Sequence, residues 1–360
     1  MEERPSDPII RMEDAKMKYF AALDVSDKET WVCIVDQDGT IIKEGPVPTE
    51  PAAIVTFLQT TTLPIEQVGF EAGPLSPWLY HELLAAHVPV ICLETRHAKA
   101  ALRAQNMKTD RNDARGLAHI MRTGWYKAVH VKSPMNQKLR MLLKTRRWVV
   151  DKRLDLENHI RGTLKVFGFK LGKVTTVTFE ARVHSLITAD PELQTSLEPL
   201  LHVREQFLAE FHTLDKAVQK AVKADAVCQR LMTVPGVGPL TALLFRTTID
   251  CPTRFAKSRD VGVHLGLTPR KYASGEVNYD GRITKCGDAM VRHHLYEAAL
   301  VMLTRGDRWH PLKAWGLRLA KRSSMKNAFV AVARKLAILL HRLWVDGTTF
   351  RWTTLQDKPA

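Results

Sequence analysis

Cysteine is scarce in this chain and nowhere paired. The five residues, Cys33, Cys92, Cys228, Cys251 and Cys286, are odd in number and include no Cys-x-x-Cys. This argues against a thiolate zinc site or a disulfide framework and fits a reducing cytoplasm. Long apolar runs are also missing. No stretch approaches the ~20 residues of a membrane span, so no membrane partner is expected. The opening MEERPSDPIIRMEDAK is charged and has no apolar core of a signal peptide. No internal repeat or low-complexity tract is evident. Acid is short as well: 38 Asp+Glu stand against 53 Lys+Arg, a net charge of +15. Such an excess either keeps a protein soluble or meets a phosphate-rich partner.

What is present suits a folded protein of two or three domains: 360 residues, 45% of them hydrophobic. The charge is unevenly placed. Residues 1–133 carry 15 basic against 18 acidic side chains, net −3, and residues 134–360 carry 38 against 20, net +18. An acidic part that holds metal and a basic part that holds nucleic acid is the division this suggests.

Residues 18–48 read as three strands, with Asp38-Gly39 as a hairpin signal. EPAAIVTFLQ reads as a helix, QVGFEAG as a strand ending at Glu71, SPWLYHELLAAH as a helix and VPVICLE as a strand. Residues 97–123 read as mostly helical. This is an α/β order with a mixed sheet. Residues 134–230 are charged and helical, with Leu139, Leu142, Val149, Leu156 and Ile160 near helical spacing and a break at VFGFKLGKVTT. They predict a helical hairpin or a coiled coil to a second subunit. Arg146 and Arg147 belong to a basic series on the first run, either a solvated face or a nucleic-acid contact. VPGVGPLTA, between two apolar helical segments, has the form of a helix-hairpin-helix element, in which Gly236 and Gly238 let backbone amides approach phosphate. A plain helix connection is the other reading. Residues 266–288 form a loop or hairpin, followed by AMVRHHLYEAALVMLT and by a last basic helix, KAWGLRLAKRSSMKNAFVAVARKLAILLHRLW.

Asp24 ends the first strand and Glu71 the fourth. Asp110 and Asp113, in MKTDRNDARGLAHIM, are i and i+3 and share one helical face. Alone, that pair reads equally as a salt-bridged surface among Lys108, Arg111 and Arg115. Strand-end acids and a helical pair can converge at one edge of a sheet, however. Four carboxylates there repel unless hard divalent cations neutralise them. Two Mg²⁺ ions about 4 Å apart would hold the attacking and leaving oxygens of a phosphodiester. Arg111, Arg115, His119 and Arg122 fall on the opposite stripe, towards a nucleic-acid backbone. Ser274, in KYASGEV, has Arg270 and Lys271 before it and Arg282, Lys285 and Arg292 after it. Such a serine can bind phosphate or attack it; with no histidine nearby as an evident base, its residues alone leave it a loop serine.

The order LDVS, FEAG, KTDRNDA resembles the RuvC-like DEDD domain of a bacterial insertion-sequence transposase family. That family is related to the Piv-type DNA invertases and is described as bridge-RNA-guided recombinases. VPGVGPLTA, LGLTPRKYASGE, GRITKCGDAMVR, LYEAALVML, KAWGLRLAKR and ARKLAILLHRLW extend the resemblance over about residues 18–350. It implies Asp24, Glu71, Asp110 and Asp113 as a metal-binding tetrad and Ser274 as a nucleophile that links to DNA. It implies active sites composed from two subunits, in a homodimer that assembles to a tetramer on donor and target DNA with a non-coding guide RNA, in the bacterial cytoplasm on the nucleoid. Cys286 departs from the Arg or Lys frequent in the family's Lys-x-Gly-Asp run and reads as a tolerated loop substitution.

The fold class expected is therefore α/β plus α. The expected domains are a tail (1–17), a ribonuclease-H-like domain (18–133), a helical or coiled-coil region (134–228), a mainly helical transposase domain with the serine (229–348) and a tail (349–360). A junction-resolving nuclease that uses water, with Ser274 a bystander, competes with the recombinase, as does a non-enzymatic RNA or DNA scaffold. An actin-like sugar kinase, suggested by LDVSDKET, is set aside because no second Gly-rich phosphate segment follows.

Overall fold

Alternation along the first strand decides the architecture of the N-terminal unit. In β1 (Tyr19–Val25), Ala21 and Leu23 pack into one apolar layer and Phe20 and Ala22 into another. A strand buried on both faces needs helices on both sides. The computed structural model describes residues 17–103, 107–305 and 309–352, so the expected tails lie outside it except for Met17 and residues 349–352. The chain divides into two units, Met1–Lys132 and Ser133–Ala360.

In the first unit β1 pairs antiparallel with β2 (Glu29–Asp36), which pairs antiparallel with β3 (Ile41–Pro48). On its other side β1 pairs parallel with β4 (Ile65–Glu71), and β4 with β5 (Val90–Leu93). The sheet order is β3-β2-β1-β4-β5, consistent with a ribonuclease-H-like fold. Helices α1 (Pro51–Gln59) and α2 (Ser76–Ala85) bring Ile54, Leu58, Leu79 and Leu83 onto one face. Helices α3 (Thr95–Leu102) and α4 (Asp110–Thr123) bring Ala98, Ala114, Leu117 and Met121 onto the other. Each buried leucine contributes roughly 1.5–3 kcal/mol, so the two layers fix the register in which the strand ends meet.

The second unit is helical apart from one hairpin. Helix α5 (Pro134–Val166) runs along α7 (Pro191–Ala224), with α6 (Phe179–Ile187) between them in sequence. The expected second helical run is thus two helices, divided where Asp190 caps α7 by accepting the Leu193 amide. At one end of the pair Ile160, Leu164, Phe179, Leu197 and Leu201 form a separate core. Beside it the buried Arg204 donates to Glu157 at 2.9 Å and lies over the Phe179 ring. At the other end Leu143, Val218 and Val222 join the core of α8 (Ala226–Leu231), α9 (Pro239–Ile249), α10 (Ser258–His264), α11 (Ala289–Thr304), α12 (Pro311–Arg322) and α13 (Met325–Val345). The last basic helix expected from sequence is also two: α12 ends before Ser323, and Ser324 caps α13 by accepting the Asn327 amide at 3.2 Å. Two serines in succession compete with the helical backbone, which is why the break falls there. No helix among the described residues is long and apolar enough to cross a membrane.

The Pro-Gly-Val-Gly turn joins α8 to α9. Gly236 has φ 80, and a Cβ there would be driven into the carbonyl oxygen of Ala298 in α11. Its missing side chain is filled by protein backbone. Gly69 is tight for a different reason: a Cβ would meet the Met121 thioether, the movable end of a flexible side chain. Gly236→Ala is therefore expected to cost about 3 kcal/mol or more, and Gly69→Ala about 1–2 kcal/mol, in urea unfolding of the full chain. Equal losses would contradict this assignment of the two contacts.

Candidate active site

The parallel register of β1 and β4 builds the centre of the site. Leu23 pairs with Phe70, so Asp24 and Glu71 follow side by side at the carboxyl ends of adjacent strands. Leu23 and Phe70 point into the α1/α2 layer, and alternation turns Asp24 and Glu71 to the face that carries α4. Helix α4 begins there. The Thr109 hydroxyl accepts the Asn112 amide at 3.2 Å and caps the helix, placing Asp110 and Asp113 in its first turn. The Ser76 hydroxyl fastens the loop after β4, donating to the Glu71 carbonyl at 3.1 Å and accepting the Gly73 amide at 2.6 Å.

Asp24, Glu71 and Asp113 line one cavity of about 380 Å³, together with Lys99, Arg103 and Lys108. Asp110 is exposed and does not line it, yet its charge is felt inside. Burial, followed by the charges of Asp113, Asp110 and Glu71, raises the Asp24 carboxyl to about 6 against the pull of Lys108. Burial also raises Glu71, opposed by Lys99 and by a hydrogen bond from Thr95. An all-oxygen, anionic donor set of this kind suits a hard divalent cation. Among the described residues no group of three acidic, histidine or cysteine side chains is arranged to hold a metal ion as they stand.

The arginines of the motif are engaged within the unit. Arg111 and Arg115 both bind Glu44 of β3. Arg111 Nε donates at 2.7 Å, and Arg115 donates through Nε at 2.6 Å and Nη2 at 2.7 Å. Arg122 donates to the Gln37 carbonyl at 3.1 Å, and it and His119 pack against Gly39 in the β2–β3 turn. The stripe expected to face nucleic acid thus braces α4 on the antiparallel side of the sheet. Lys108 is the motif cation that faces the cavity. Sequence reasoning missed Glu44, whose partners lie 67 and 71 residues away with no local signal. It also missed Lys99 and Arg103, for which a signal existed: Thr95, Lys99 and Arg103 are spaced i, i+4, i+8 on one helical stripe.

In the second unit, Ser274 ends β6 (Pro269–Ser274), which pairs with β7 (Val277–Ile283) through the two-residue turn Gly275-Glu276. The expected loop or hairpin is a hairpin. Ser274, Arg270 and Lys271 are exposed along it, and Tyr272 stacks on Tyr279 with ring centres 4.9 Å apart. The hairpin is rooted where two loops cross. Gly266 touches the backbone of Cys286, and Gly287 touches that of His264, so neither has room for a side chain. Arg292 fastens the crossing by donating to the carbonyls of Leu265, Cys286 and Gly287. Asp288 caps α11 by accepting the amides of Met290 and Val291, and it pairs with Arg140. Burial alone would raise its carboxyl, but Arg140 and those amides hold it below the usual range. Cys286 is exposed. Arg282 and Lys285 line a groove beside the hairpin. Arg146 pairs with Asp215 at 2.7 Å and lies over Phe211, and Arg147 pairs with Asp151 at 2.8 Å.

A strand-end acid pair under a capped helix marks a candidate site, and comparison with known proteins gives the class, DNA transposases, and the family. The profile of the DEDD-type IS110 transposases matches residues 21–168, and that described as "Transposase IS116/IS110/IS902 family" matches residues 228–313. The transposase for insertion sequence element IS1111A of Coxiella burnetii is 27% identical over 94% of this chain and 92% of its own length. The Sinorhizobium fredii protein y4pF/y4sB is 32% identical over 68% of this chain and 64% of its own length. The transposase for IS1328 of Yersinia enterocolitica is 26% identical over 68% and 75%. The chain belongs to the IS116/IS110/IS902 transposase family, and its function is that of a DNA transposase.

Arg115, ahead of Arg111, holds the Glu44 carboxyl at about 2, although burial pushes it up from its ordinary 4.5. A depressed carboxylate contributes stability that is complete above pH 4.5 and is lost as pH falls through 2. Glu44 is 13% exposed and Arg111 more than half, so screening reduces the contribution to about 1–2 kcal/mol. Glu44→Gln is expected to lose that amount at pH 7 and to converge on the unsubstituted protein between pH 4.5 and 2. Urea unfolding at several pH values checks this; a pH-independent difference would disprove the clamp.

Proposed function

We propose that this transposase cleaves and rejoins DNA through a serine ester formed by Ser274, with Asp24, Glu71, Asp110 and Asp113 holding Mg²⁺ at a two-metal site. The observation that carries this reading is the adjacency of Asp24 and Glu71 at the ends of parallel strands beneath the first turn of α4. A bound Mg²⁺ pair would supply positive charge to the developing phosphate and to the oxygens exchanged on it. The chain's own groups do the rest. The Ser274 oxygen bonds to phosphorus, the bond to the departing strand breaks, and that strand leaves as a hydroxyl carrying the serine proton. The number of phosphoester bonds is unchanged, so the hydroxyl of a second strand reverses the step without ATP. Lys108, with Lys99 and Arg103, draws the phosphate to the acids, and the exposed Arg270 and Lys271 hold the backbone beside the serine.

In this reading a homodimer assembles to a tetramer on donor and target DNA, with the carboxylate unit of one subunit serving the serine of another. A non-coding bridge RNA selects both sites by base pairing, and the protein reads backbone shape. Arg146, Arg147 and Gly238 are proposed on the nucleic-acid side of the second unit; Gly236 is not, because the backbone of α11 fills its place.

Ser274→Ala is expected to abolish a protein–DNA adduct that survives denaturation. Asp24→Asn and Asp110→Asn are expected to abolish strand exchange while each variant still binds RNA. Gel analysis of the purified full-length proteins with DNA, RNA and Mg²⁺ reads all three. Full strand exchange by the Ser274→Ala variant, as a water-using nuclease with a bystander serine would permit, overturns the serine role. RNA recovered with the protein as random fragments overturns the guide.

A further inference from the structure

A groove of about 890 Å³ lies at the base of the Ser274 hairpin, between β7 and helices α12 and α13. Its wall is apolar, with Trp315, Leu319, Val330 and Ile338. Every charged residue that lines it is a cation: Arg282, Lys285, Arg334 and Lys335. None of the four is ion-paired among the described residues. The Arg334 Nε is shielded from solvent and has no hydrogen-bond partner. The Lys335 ammonium stands 5.0 Å from the centre of the Trp315 ring. An indole beside aliphatic side chains, with Asn327 and four cations as its polar lining, matches a ligand with a flat apolar face and anions on either side.

We propose that this groove holds an unstacked base of a single-stranded nucleic acid, with Trp315 against the base and Arg282, Lys285 and Arg334 on the flanking phosphates. The proposal rests on the reading that the chain rearranges DNA with nucleic-acid partners. A duplex keeps its bases paired and stacked inside, so only an unpaired base can use the wall, while the cations serve the backbone of either. The position favours a strand engaged at the serine. Ser274 pairs with Val277, and Gly281 at the groove is four residues further along β7, about 13 Å. The groove therefore receives a base a few nucleotides from the phosphate that Ser274 attacks.

The test titrates full-length protein with labelled single-stranded DNA, the same sequence as RNA, and the DNA duplex, at several salt concentrations. Trp315→Ala is expected to weaken single-strand binding about 10-fold and leave duplex binding unchanged, with Trp315→Phe restoring most of it. Replacing Arg282 and Lys285 together by Gln is expected to reduce the slope of log K against log salt by about 1.4. The tighter of the DNA and RNA arms identifies the strand. A thio-substituted pyrimidine in that strand is expected to photocross-link to the groove. Unchanged single-strand affinity in a folded Trp315→Ala variant, equal losses on the duplex, or equally strong competition by polyglutamate overturns the site. Should that variant not fold, the double Gln variant and the cross-link on unsubstituted protein decide it. The Ser274 adduct is scored in parallel: an adduct without a groove cross-link overturns this site alone, and a groove cross-link without an adduct supports this site and overturns only the serine reading.

Discussion

Repulsion among the carboxylates is the constraint around which the N-terminal unit is organised. Asp24 is raised to about 6 by burial and by three acidic neighbours, so the chain must hold in place groups that push apart. It does so through packing that has no charge at the site. Leu23 and Phe70 anchor the two strand ends from the far side of the sheet, and α4 lays the Met121 thioether over Gly69. Glu44 then ties α4 to β3 through two guanidinia. An electrostatic conflict maintained by the fold marks a candidate functional site.

Much of this was legible in the sequence, for identifiable reasons. The strands and the acids that end them are local features, since period-2 alternation marks a strand and its last residue together. Asp110 and Asp113 follow from helical spacing alone. The engagement of Arg111 and Arg115 by Glu44 was not legible, because charge in a helix says nothing of a partner on a distant strand. The same limit applies to the glycines. Gly236 and Gly238 invite a phosphate-binding reading, and only the packed structure reveals that Gly236 is occupied by the backbone of α11. The helix breaks at Asp190 and at Ser323-Ser324 are masked in the sequence because the apolar period runs on through them. The cations around Ser274 signalled phosphate and nothing nearby signalled a base, so its candidacy as a nucleophile rested on family resemblance.

The second unit uses a different device to present its chemistry. The two loops that flank the hairpin meet backbone to backbone at Gly266 and Gly287, and Arg292 and Asp288 secure the crossing from α11. The runs LGLTPR and KCGD are therefore one joint, and Asp288 in the second is a helix cap and an ion-pair partner. Cys286 joins that crossing through its backbone, and its side chain is exposed.

The hairpin that rises from this joint has both faces in water. A lone two-stranded ribbon is marginally ordered by itself, and here one tyrosine stack supplies the cross-strand packing along its length. Order in such a ribbon grows with whatever covers it. The exposed turn at its tip, Gly275-Glu276, is thus held by two strands and one ring stack alone, and a macromolecule that covered the arm would add to its order.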